Sequence, residues 1–216
     1  MVPIVASQAQ IAPSAAEIAT YDALFRAVVK EDIDALEREL SSGKNPDRRD
    51  AHGRSALHVA AFYGNHDAMR KLVAAGADAN ALENDYYDIA TIAAVANDTA
   101  TLKLALELGC SAGNVTSRYD GTALIAAAHL GHVEAVKILI AAGAPLDHVN
   151  NLGWTALIES IVLGDGGERH TQTLRVLVEA GANVNLADEN GSTPLALARV
   201  RNYRKMVTIL QSAGAR

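Results

Sequence analysis

Three places in the sequence carry side chains that could act chemically. Glu159 is a carboxylate inside the apolar run Ala156-Leu157-Ile158-Glu159-Ser160-Ile161, and His129 is the imidazole that repeat spacing sets beside it. Such a pair can exchange a proton in acid–base catalysis. The run Gly164-Asp165-Gly166-Gly167-Glu168-Arg169-His170 gathers donor types that a cation or a phosphate would use. It does not match G-x-x-x-x-G-K-[ST], and its ligands have no regular spacing. A flexible insertion is the simpler reading of that run, and a solvated or backbone-bonded side chain in a groove is the simpler reading of Glu159. Cys110 is the single cysteine, which excludes an intramolecular disulfide and a cysteine-based zinc site. The sequence contains no G-x-S-x-G, H-E-x-x-H or paired-cysteine motif. It gives no reason to expect an enzyme, a cofactor or a metal.

The elements that position these residues recur along the chain. From Asp50 to Ala81 the sequence predicts a turn at His52-Gly53 and a short helix capped by Ser55 and stopped by Gly64. A second helix with Met69, Leu72 and Val73 on one face follows, with Gly76 after its end. Helices of about two turns are unstable alone, so each must be covered by an equivalent neighbour. Helix-ending glycines at 43, 76, 109, 143, 181 and 214 step by 33, 33, 34, 38 and 33 residues. First-helix residues Leu24, Leu57, Ala90, Leu124, Leu157 and Leu195 share one register. Two independent markers therefore predict six stacked units at about 20–49, 50–82, 83–116, 117–149, 150–187 and 188–216. Residues 1–19 read as a flexible lead. The excess in the 38-residue step falls at Gly164–His170. The third unit departs most from the pattern, with Tyr86 at the turn-glycine position, Asp88 at the cap and Asn97 for the inter-helix glycine.

This unit resembles the ankyrin repeat, whose T-P-L-H-x-A core appears as Ser55-Ala56-Leu57-His58-Val59-Ala60. The resemblance implies an all-α solenoid of about six helix-turn-helix units with short β-turn projections. The runs R-Y-D-G-T-A-L, H-V-N-N-L-G-W-T-A-L and V-L-G-D-G-G within 115–167 look like a group of bacterial ankyrin-repeat proteins, many of which carry export signals. Ankyrin-type units usually bind through their turn tips and the inner face of each first helix. On this sequence those positions are His52, Arg54, Phe62, Tyr63, Asn84, Asp85, Tyr87, Arg118, Tyr119, His129, Asn151, Trp154 and Leu163, with Glu159 in the same groove. Trp154 fits either an interface anchor or a cover for the units beside it.

The chain is half apolar with only 4% aromatic residues, which suits tightly stacked small helices. A net charge of −6 without a basic cluster argues against nucleic acid and anionic membranes, leaving an unidentified protein as the expected partner of a monomer. No apolar run is long enough to span a bilayer. Small residues at Ser7 and Ala9 could end a trimmed export signal, and the resemblance to often-exported bacterial proteins implies a periplasmic location, with a cytoplasmic one as the alternative. The main expectation is a non-catalytic scaffold binding a protein on its concave face. Its rivals are an inhibitor or immunity-type protein that plugs an exported enzyme, and an enzyme using Glu159, Asp165 and His170.

Overall fold

A computed structural model describes residues 12–216; the proposed signal remnant at Ser7 and Ala9 lies outside the described residues. Six helix pairs follow one another: α2 (Ala23–Val29) with α3 (Ile33–Ser41), α4 (Ala56–Tyr63) with α5 (His66–Ala74), and α6 (Ile89–Val95) with α7 (Thr99–Glu107). The other three are α8 (Ala123–Leu130) with α9 (Val133–Ala141), α10 (Ala156–Val162) with α11 (Glu168–Glu179), and α12 (Pro194–Val200) with α13 (Arg204–Ser212). Helix α1 (Ala15–Thr20) precedes them. The first helices pack in chain order as an inner row, and most of the second helices pack on one another as an outer row.

Composition explains the two rows. Inner helices are apolar nearly all round, and small alanines let them approach closely: in α4, Ala56 through Ala61 are all buried. Outer helices are amphipathic. In α5, Ala68, Met69 and Leu72 face inward while Arg70 and Lys71 stay exposed. The column Leu24, Leu57, Ala90, Leu124, Leu157 and Leu195 is at most 3% exposed throughout, so each leucine contributes about 2 kcal/mol of apolar burial.

Polar groups join the units at fixed places. His58 is fully buried; its Nδ1 accepts from the Ser55 N–H at 3.2 Å, so the ring proton sits on Nε2 and is donated to Ala81 O at 3.0 Å. That one ring closes the start of α4 and ties the end of the unit to it. Burial pushes its pKa down to about 4. The N-cap side chains of two outer helices reach back one unit, with Asn65 Nδ2 donating to Val28 O at 3.0 Å and His132 Nδ1 lying 3.0 Å from Ala94 O. His132 thus has a structural role, joining one unit to the next. At Gly76, φ is +96°, and Ala77 N–H bonds back to Leu72 O, so the chain leaves the outer helix by a left-handed turn that glycine adopts without strain.

Two expectations change. The lead is not featureless to residue 19, because Ser14 and Glu17 form a reciprocal capping box that starts α1. The glycine-rich insertion is not a loose loop. His170 is buried, with Nδ1 2.8 Å from Asp165 Oδ1 and Nε2 2.9 Å from His129 O in the preceding unit. Tyr203 of the following unit donates to Gly164 O at 2.9 Å. A Cβ on Gly166 would stand 2.4 Å from the Tyr203 ring, so close packing as well as its left-handed φ of +69° requires the glycine. The remaining extra residues lengthen α11 to 12 residues.

Candidate protein-docking surface

The turns between units project side by side because their backbones are bonded to one another. Asn84 N–H donates to His52 O at 3.1 Å, Ser117 N–H to Tyr86 O at 2.9 Å, and Asn151 N–H to Tyr119 O at 2.9 Å. The middle of this row is apolar and open. Tyr86 and Tyr119 are each 54% exposed and Leu152 is 40% exposed, with exposed Val115 and Val149 close by in sequence. Arg118 and Asp85 pair across neighbouring tips.

Tyr86 was not among the expected contacts, whereas Tyr87 was. Tyr86 is the more exposed of the two. Tyr87 packs against the core, where burial raises its pKa, and Tyr86 takes a left-handed φ of 64° at the tip. The clue was its place at the turn-glycine position. At the corresponding Gly53 of the second unit a Cβ would lie 2.2 Å from Asn84 Oδ1, so a side chain there would have to displace the Asn84 amide.

At the second unit the expected surface is already engaged. Arg54 is only 5% exposed, so it is not the open contact its turn position implied. Its Nε donates to Asp50 Oδ2 at 2.8 Å, and its guanidinium also pairs with Glu17 of α1. Glu17 lies 2.9 Å from exposed His52 as well, and Tyr21 OH donates to Asp50 Oδ2 at 2.9 Å. Burial alone would raise the pKa of Asp50, but bonds from the Arg54 N–H and guanidinium, His52 N–H and Tyr21 OH hold it below the usual carboxylate range. The two bonds between Glu17 and Ser14 chiefly bring the Glu17 pKa down to about 2. Tyr63 is exposed, and its OH reaches Pro13 O at 3.5 Å. Phe62 is half-buried against the core.

At the other end of the surface, Glu159 and His129 do meet. The carboxylate is 5% exposed, with Oε2 3.3 Å from His129 Nδ1 and Oε1 accepting from Asn150 Nδ2 at 2.8 Å. It is therefore neither solvated nor bonded to a backbone group: side chains from two units satisfy it. Asn150 Oδ1 meanwhile accepts from the N–H groups of Leu152 and Trp154, fixing the tip. Trp154 is half-buried, and Asn84, Asp85, Arg118 and Asn151 are exposed at the tips. The adjacent Ser160 hydroxyl donates to Leu157 O at 2.7 Å and is not aimed at the pair. A shallow depression between α11 and α13, lined by Arg175, Val178, Lys205 and Ile209, includes none of the expected site residues. Among the described residues no group of three His, Cys, Asp or Glu side chains could hold a metal ion. Cys110 is buried, which pushes its thiol pKa up and away from reactivity.

Stacked helix pairs with a bonded row of turn tips define a repeat solenoid of the ankyrin type. The family model described as ankyrin repeats (3 copies) matches residues 90–167, and the one described as ankyrin repeats (many copies) matches residues 24–73. The ankyrin repeat protein YahD of Escherichia coli K12 is 34% identical over 185 residues, covering 85% of this chain and 92% of that protein. An ankyrin repeat domain from Acinetobacter baumannii superposes with a TM-score of 0.83 at 44% identity, covering 89% of this chain and 98% of that one. The ankyrin repeat domain of Bcl-3 superposes with a TM-score of 0.81 at 28% identity, covering 91% and 88%. The chain belongs to the ankyrin-repeat family, whose members generally act as protein–protein interaction modules. Among the described residues no helix is long and apolar enough to cross a membrane.

Proposed function

We propose that this protein is a non-catalytic scaffold that binds a partner protein along its turn tips and inner helices, centred on the third to fifth units. The observation that carries this reading is the open apolar row of Tyr86, Tyr119 and Leu152, held in place by backbone bonds between tips. Exposed aromatic side chains on a rigid support are the usual anchors of protein interfaces. The outer face offers a contrast, since two of its lysines are held in exposed ion pairs, Lys71 with Glu37 and Lys137 with Glu134. Such exposed pairs contribute little to binding or stability.

The test is site-specific photo-crosslinking in a native lysate, with the crosslinker at Tyr119 or at Lys137. A discrete protein adduct at Tyr119 and none at Lys137 is the expected result. Once the partner is purified, Tyr86→Ala and Tyr119→Ala should each weaken binding by about 1 to 4 kcal/mol, and Lys137→Ala should leave it unchanged. Adducts confined to Lys137 would move the partner to the outer face.

A further inference from the structure

We propose that Ala12–Thr20 is an intramolecular ligand of the second unit, occupying a site built for a partner segment that presents a carboxylate. The inference rests on the docking reading above and adds where the partner enters and what chemistry it brings. His52 stands on the projection of the second unit and Tyr63 at the far end of its inner helix. Glu17 touches the first and Pro13 the second, so the segment is tied both to the projection and to the far end of the inner helix.

The segment is held by few groups. Helix α1 has six residues and none of them is buried. A helix of that length does not persist in water by itself. Among the described residues, buried Pro13, half-buried Ile18 and the Glu17 carboxylate attach it. The site beneath has its own support, because Asp50 fixes the Arg54 side chain through Nε and fixes the turn through the N–H groups of His52 and Arg54. Arg54 and His52 are thus directed at one carboxylate. That carboxylate comes from the first turn of a short helix, where a serine cap orients it. A partner helix with a serine or threonine cap and an acidic residue three positions later carries the same group and would displace it.

Hydrogen exchange of the full chain by NMR tests the release. Amides of α1 should exchange at least about tenfold faster than those of α4, and Glu17→Gln should raise the α1 rate again by about tenfold with α4 to α13 unchanged. The Glu17→Gln chain should then bind the blocked synthetic peptide of residues 12–20, shifting the signals of His52, Arg54 and Tyr63. The same peptide carrying glutamine in place of glutamate should bind at least about tenfold more weakly. His52→Ala should also weaken the peptide without altering exchange in α4. Exchange of α1 in step with α4, or failure of the peptide to bind the Glu17→Gln chain, would overturn the proposal. If the peptide binds but does not compete with the partner captured at Tyr119, this proposal falls and the docking reading stands. If nothing is captured at Tyr119, the docking reading falls while the exchange data still decide whether the segment opens.

Discussion

Asp50 in the second unit and Asn150 in the fifth hold the same turn in the same way. Each side-chain Oδ1 accepts two backbone N–H groups, from His52 and Arg54 in one case and from Leu152 and Trp154 in the other. They differ in the atom left over. Asp50 Oδ2 accepts from Arg54 and Tyr21, while Asn150 Nδ2 donates to Glu159. The residue at this position therefore matches the charge that faces it, acceptor toward a guanidinium and donor toward a carboxylate. One repeat scaffold thus holds a guanidinium in its second unit and a carboxylate in its fifth, without altering its turn.

Exchanging the two residues breaks this match, with the largest effect in the fifth unit. Asn150→Asp sets a second buried carboxylate against Glu159 and should destabilise by about 3 to 5 kcal/mol at pH 7, read from denaturant midpoints. Adding Glu159→Gln should recover most of that loss. Absence of recovery would separate Asn150 from Glu159 energetically.

pH distinguishes the two units next, because His58 of the second corresponds in register to Ile158 of the fifth. The folded pKa of His58 is about 4 against an ordinary 6.5. Between those values the unfolded chain binds a proton that the folded chain does not. Stability should therefore be complete above pH 6.5 and fall by about 3 kcal/mol as pH drops to 4. His58→Gln should flatten that slope, whatever it does to stability at neutral pH. A slope that persists in the variant would assign the titration elsewhere.

Asp50→Asn is the smaller counterpart of the fifth-unit exchange. It turns a donor toward Arg54 and the Tyr21 hydroxyl and should cost about 2 to 3 kcal/mol, measured by thermal or chemical unfolding. The smallest effect belongs to Glu17→Gln, whose carboxylate is partly solvated. Global stability should change by less than about 1 kcal/mol. A loss as large as that of Asp50→Asn would make α1 an integral part of the core.

Much of this fold was legible because its signals are local. The glycine ladder and the Ser55 cap are set by hydrogen bonds within a few residues, and the leucine column by a register that repeats with the unit. The same holds for Asn97, which takes the left-handed φ of 55° that its replacement of glycine implied. The candidate site was legible only in outline. Its positions came from repeat register, but exposure at each one depends on what another part of the chain places over it.

By itself the sequence determined the helix pairs, their order and their family, since a 33-residue period repeats a locally encoded unit that only its neighbours can cover. Tertiary structure decided which of the register positions are open. Arg54 is closed because Glu17, 37 residues away, returns to it. Glu159 is closed because Asn150 and His129 converge on it. Tyr86 is open and Tyr87 covered because one left-handed turn residue reverses which of two adjacent rings faces the core. Each outcome depends on desolvation and on contacts between residues distant in the chain, which spacing alone does not encode.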